Sequence, residues 1–227
     1  MSDHQQVPAA RRFGVVAAVA TTALTALTFA LALTALPDRA PYPFATPAIA
    51  AQWPGDYLWM VPAMLLMLAF VALTAAVHEH AAPHRRVYSL LGLCVAVMAA
   101  TVQLANYFLQ FSVMQLNLEK NQLDGWALLT QYNPNGVFIA LEELAYLLMS
   151  LALLALTPVF RGRGRAERAL RWLLPLSTVA VLVALAAVSA VRGLDRGDSF
   201  EIAVITIVWL TLIAAGPLMA AVFRREA

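Results

Sequence analysis

Apolar residues in this chain gather into six long runs, at 13–36, 57–77, 87–113, 137–160, 172–191 and 200–223. A helix rising about 1.5 Å per residue needs about 20 mostly apolar residues to cross a hydrocarbon core about 30 Å thick, and each run meets that length. None alternates with the two-residue period of a barrel strand. Within lipid, a helix is then the way to satisfy every backbone polar group inside one segment. The pattern predicts an all-α fold: one polytopic six-transmembrane-helix bundle over residues 1–227. The polar intervals fall into two sets. Those at 37–56, 114–136 and 192–199 lie on one side of the bundle, and two short connections and both termini lie on the other. The proline-rich 37–56 interval, with Tyr42, Phe44 and Trp53, reads as a non-helical flap at headgroup level, where aromatic residues concentrate. The 114–136 interval, mixed in polarity around Trp126, suits a short interfacial helix. Pro62, Pro175 and Pro217 each remove a helix bond and favour a kink. The first run is rich in Ala and Thr, the small residues that let membrane helices approach closely.

Composition agrees with the pattern and adds little to it. Hydrophobic residues make up 62% and charged residues 12%, against roughly 45–50% and 25% in soluble domains. The distribution of charge says more. Eleven arginines fall on the side holding both termini, and only Arg39, Lys120, Arg192 and Arg196 on the other. The positive-inside rule then places both termini in the cytoplasm (N-in, C-in) of a cell inner membrane, with 37–56, 114–136 and 192–199 outside. The basic residues are split among short loops, which disfavours a nucleic-acid surface. Arg11 and Arg12 before an apolar run also suit a signal peptide. However, the run is longer than the roughly 7–15 residues of such a segment, so it is expected to stay as the first helix. Cys94 is alone, so no intramolecular disulfide forms. The arginines of 161–171 suit anionic lipid headgroups, making membrane lipids the expected partners.

The candidate chemistry centres on Glu142 and Glu143, side by side in the fourth run. A carboxylate at membrane depth costs about 2.5 kcal/mol or more, so such residues face a bundle interior and mark a site. Asn133-Pro134 has the form of an N-cap followed by a first-turn proline. A helix starting there puts Glu142 beyond the first turn, where the helix dipole no longer accounts for it. Adjacent helical residues point about 100° apart, so the two glutamates face different ways. Glu143 aligns with Ser150 and Thr157, which suits an interhelical contact. Glu142 aligns with Phe138, Tyr146 and Met149 and is the preferred anchor. In the third run, Gln103, Asn106 and Gln110 share one face with Tyr107 beside it, at the same depth. An outward pocket between the third and fourth spans, with Gln103, Asn106, Gln110, Glu142, Glu143 and Tyr146, is one expectation. A polar zipper joining the two helices is the other. Glu201 could join the same layer, although Asp198-Ser199-Phe200-Glu201 also has capping-box spacing.

The remaining motifs are weaker. His78, Glu79, His80 and His84 lie in a short loop that offers little support for a metal, and all four histidines lie outside the spans, which disfavours a bundle haem. No metal and no cofactor are expected. Glu-Glu also occurs in CAAX-type membrane proteases, but these carry Arg four positions after the second Glu, where this chain has Leu147. Bacterial-type carotenoid cyclases carry Pro-x-Glu-Glu, where this chain has Ala140-Leu141-Glu142-Glu143. The chain resembles neither, and it has no P-loop, G-x-S-x-G or H-E-x-x-H. Three functions remain open: binding or transport of a small or lipophilic molecule, a structural or assembly role, and an intramembrane enzyme with a glutamate general acid. The first ranks highest and an enzyme lowest.

Overall fold

The computed structural model describes residues 3–34 and 42–225. It is helical throughout, with no strand among the described residues. Six helical stretches are long and apolar enough to cross a membrane, the architecture of a multi-pass membrane protein. In chain order the helices are α1 (Asp3–Thr34), α2 (Thr46–Ala50), α3 (Met60–His80), α4 (Arg86–Leu109), α5 (Gln115–Glu119), α6 (Trp126–Leu129), α7 (Val137–Leu156), α8 (Arg165–Arg192) and α9 (Ser199–Arg225). A single wider π-turn, Gln110–Met114, joins α4 to α5.

The long helices close a ring in which α1 packs on α3, α3 on α4, α4 on α7, α7 on α9, and α9 back on α1. The sixth, α8, lies against α7 and α9 with most of its span exposed, as a lipid-facing helix should be. The α1–α9 seam is built from small residues. Ala17, Ala18, Thr21 and Thr25 are buried on α1, and the Thr21, Thr22 and Thr25 hydroxyls bond back to carbonyls one turn earlier. Helix α9 answers with Gly216, where a Cβ would collide with the Thr22 hydroxyl and stand 3.0 Å from the Ala18 carbonyl. Glycine lets the two backbones come that close. The seam continues to Phe29 and Trp209, whose rings are 5.4 Å apart.

Several boundaries differ from the sequence pattern, α8 for one starting at Arg165 where the apolar run starts at 172. Residues 46–50 of the proline-rich interval form one helical turn, because Pro47 at its start brings a preset φ and no unsatisfied N–H. The third span runs on through the π-turn to Glu119, past the expected end at 113. The fourth helix begins at Val137 behind Gly136, where the apolar run begins and three residues after the Asn-Pro signal. Asn133 instead organises a turn: its Oδ1 accepts from Asn135 N–H at 3.0 Å, and its carbonyl accepts from Gly136 N–H at 2.9 Å. A short helix does form at Trp126, held by Trp126 Nε1 donating to the Met114 carbonyl at 3.1 Å. Arg39 lies outside the described residues.

Candidate functional site

Glu142 lies in the second turn of α7 and is fully buried. Its Oε1 accepts two hydrogen bonds from α4, from Tyr107 OH at 2.5 Å and Gln103 Nε2 at 3.0 Å. Tyr107 is within hydrogen-bonding reach of the Tyr146 hydroxyl, which also accepts from Trp209 Nε1 of α9 at 3.1 Å. The chain Trp209–Tyr146–Tyr107–Glu142 thus crosses three helices. Glu142 Oε2 receives no N–H or hydroxyl from the described residues. The carboxyl within its reach is that of Glu201, in the first turn of α9. A hydrogen bond between two carboxyls requires that one of them carry a proton, since an ionised carboxylate only accepts.

Glu143 points elsewhere, as the 100° step requires. It accepts from Arg196 Nη2 at 3.0 Å, and the Arg196 side chain, about one-third exposed, also lies over the Phe200 ring. The other amides of the third span are tied into backbone. Asn106 Nδ2 donates to the Phe138 carbonyl at 3.0 Å. Gln110 spans the loop before α7, donating to Leu129 O at 2.8 Å and accepting from Gln131 N–H at 3.2 Å. Next along that loop, the Tyr132 hydroxyl donates to Asp56 Oδ2 at 3.0 Å. Burial above all, then the neighbouring Tyr57 and Asp56, push the Tyr132 phenol above its ordinary range, so it remains a donor at any physiological pH.

Between the third and fourth spans the described polar side chains bond to one another and to backbone, as above. A cavity of about 950 Å³ opens among α1, the start of α7 and the first half of α9, at the end of the bundle that carries α2, α5 and α6. Its walls are apolar and aromatic, with Phe29, Leu33, Trp59, Phe138, Ile205 and Trp209 among them. Its polar rim includes Tyr132, Asn133, Arg192 and Asp198, and Glu201 reaches into it. Of the eight residues singled out in the sequence, Glu201 is therefore the one that lines the cavity. Glu142 stands behind it, supported by Gln103, Tyr107 and Tyr146, while Glu143, Asn106 and Gln110 serve other contacts. Size and polarity both suit a drug-sized, largely apolar ligand held by few polar groups.

Trp59, Trp209 and Arg196 were not singled out in the sequence. Tryptophan has no periodic signal that separates a cavity wall from packing, and Arg196 sits in a turn where several partners were in reach. The groups of His, Cys, Asp and Glu among the described residues include no cluster of three or more able to hold a metal. Comparison with known proteins returns no matching family model, no similar curated protein and no similar solved structure. What the site can do rests on its own chemistry.

Proposed function

We propose that this protein binds a small lipophilic molecule in the cavity between α1, α7 and α9, and that Glu201, backed by Glu142, is its polar anchor. The observation that carries this reading is the placement of Glu201 beside the aromatic and aliphatic side chains of the cavity, among them Phe29, Phe138, Ile205 and Trp209. A carboxyl at membrane depth is costly unless a ligand, proton or partner compensates it. The structural-subunit reading accounts well for Glu143–Arg196 and for the α4 amides, but it gives no reason for a cavity of this size. Glu143, Asn106 and Gln110 are assigned to packing, and Gln103, Tyr107 and Tyr146 to holding Glu142. The arginine asymmetry supports a cell inner membrane location with both termini cytoplasmic, which turns the cavity toward the outer face. Membrane lipids are the surrounding partners.

The test uses N-phenyl-1-naphthylamine, a neutral lipophilic fluorophore, with protein in a neutral detergent. Ile205→Trp and Thr206→Trp fill the cavity from α9. The wild type should give a saturable fluorescence increase that both variants lose while keeping their elution volume and melting temperature. Equal binding by wild type and folded variants would refute the cavity as the site.

A further inference from the structure

The carboxyl at the cavity sets a hydrogen-bonding requirement for the occupant. We infer that Glu201, in its neutral acid form, offers a carbonyl oxygen to the cavity, and that the occupant is an uncharged lipophilic molecule whose hydroxyl group, that of an alcohol or a phenol, donates to it; this inference rests on the cavity reading above.

The first step is the proton count. Glu142 Oε1 accepts from Tyr107 and Gln103 of α4, while Oε2 is buried and receives no N–H or hydroxyl from the described residues. The Glu201 carboxyl is within its reach, and a proton kept on Glu201 supplies the missing donor. Three donors then converge on Glu142 and hold the negative charge there, behind the cavity wall. Glu201 is the neutral member of the pair, and it is the one that lines the cavity.

The second step is what the neutral acid leaves unmet. A carboxylic acid that donates through one oxygen still has a carbonyl oxygen that accepts. The hydrogen-bonding partner of the Glu201 side chain among the described residues is the Glu142 carboxyl, which needs the proton and not the carbonyl. Trp209, on the same helix and in the same wall, does not serve, because its Nε1 donates to the Tyr146 hydroxyl. Water satisfies such an oxygen while it has access. A lipophilic occupant excludes that water and must supply a donor itself, because a polar group buried without a partner is costly. Hydrocarbons, ethers, esters and ketones have no donor to give. An ammonium ion has one, but a neutral acceptor does not repay the hydration the ion loses. A hydroxyl gives up far less and makes the same bond, leaving the rest of the molecule to the aromatic and aliphatic side chains of Phe29, Phe138 and Ile205.

Two probes that differ in the donor alone test this: 4-nonylphenol, un-ionised at pH 7, and its methyl ether, 4-nonylanisole. Each competes with N-phenyl-1-naphthylamine for the protein in neutral detergent, and its free concentration is corrected by its measured uptake into protein-free micelles. On wild type the phenol should displace the fluorophore at about tenfold lower free concentration than the ether, the margin of one buried hydrogen bond made or missed. Glu201→Gln keeps both roles of the neutral acid, an N–H toward Glu142 and a carbonyl oxygen toward the cavity, so phenol binding should stay within about threefold of wild type. Glu201→Leu, combined with Glu142→Gln so that no buried carboxylate is stranded, should abolish the preference for the phenol. Equal displacement by phenol and ether on wild type would overturn the inference, and that result needs no variant to fold. So would a phenol affinity at least tenfold weaker in folded Glu201→Gln, the mark of a charged Glu201, or a preference that survives in the double variant. If the naphthylamine is lost in Ile205→Trp while phenol and ether compete alike, the hydroxyl class alone fails. If Ile205→Trp binds the naphthylamine as wild type does, the cavity reading fails with it.

Discussion

Gly216→Ala is the substitution in this bundle whose cost can be followed atom by atom. The added methyl would collide with the Thr22 hydroxyl, which is held by its 2.9 Å bond to the Ala18 carbonyl. That carbonyl is itself 3.0 Å from the new carbon and belongs to backbone, so it cannot turn away. Either Thr22 abandons its bond or α1 moves off α9. Overpacking of this kind costs about 1–3 kcal/mol. At roughly 2–4 °C per kcal/mol for a chain of this size, melting should drop by about 2–12 °C. Two companions separate the causes. Thr22→Ala with Gly216→Ala removes the hydroxyl and should recover most of the loss, but not all of it, because Ala18 O remains. Gly92→Ala also meets close neighbours, but the nearest, Leu156 Cδ2 at 2.8 Å, is the end of a flexible side chain and the backbone carbonyl, Ala152 O, stands farther off at 3.2 Å, so its cost should be smaller. Heating in detergent followed by size-exclusion recovery reads all four proteins. A Gly216→Ala variant that melts with wild type, or a double variant no better than the single, would refute a seam set by backbone approach.

Two further outcomes follow from the hydrogen bonds. Tyr107→Phe leaves Glu142 Oε1 with the Gln103 donor alone, and should cost about 1–3 kcal/mol of stability, read by the same melting assay. For Glu143 and Arg196, a double-mutant cycle with alanine should give a coupling below about 1 kcal/mol that shrinks in high salt, because the arginine is partly solvated.

The spans were legible because membrane burial is a property of composition over about 20 residues, and that average tolerates local error. Their ends were less so. Asn133-Pro134 carries the same residues whether it starts a helix or a turn, and the choice was made by Asn135 and Gly136 bonding back to it. The divergence of Glu142 from Glu143 was legible from helical geometry alone. So was the grouping of Gln103 and Tyr107 with Glu142, since residues of like polarity at like depth on neighbouring helices are natural partners. The position of the open space was not. It depends on how α1 and α9 separate beyond Phe29 and Trp209, a matter of packing between runs nearly 200 residues apart, and no local pattern records it. Glu201 illustrates the same limit, because capping-box spacing is a local signal and its contact with Glu142 is not.

The π-turn at Gln110–Met114 makes this one helix sensitive to length in a way the others are not. A wider turn holds one more residue than an α-turn, and so resets the facing of everything after it by about 100°. Gln103 before it and Gln110 at its start point toward α7 and its preceding loop; Met114 at its end and Leu118 after it are buried, and Met114 O meets the Trp126 indole. Losing a single residue between 111 and 113 would restore regular winding and swing that second set outward. The indole would lose its anchor, and the loop carrying Tyr132 and Asn133 to the rim would be re-aimed. Residue identity is negotiable at these positions, whereas residue number is not.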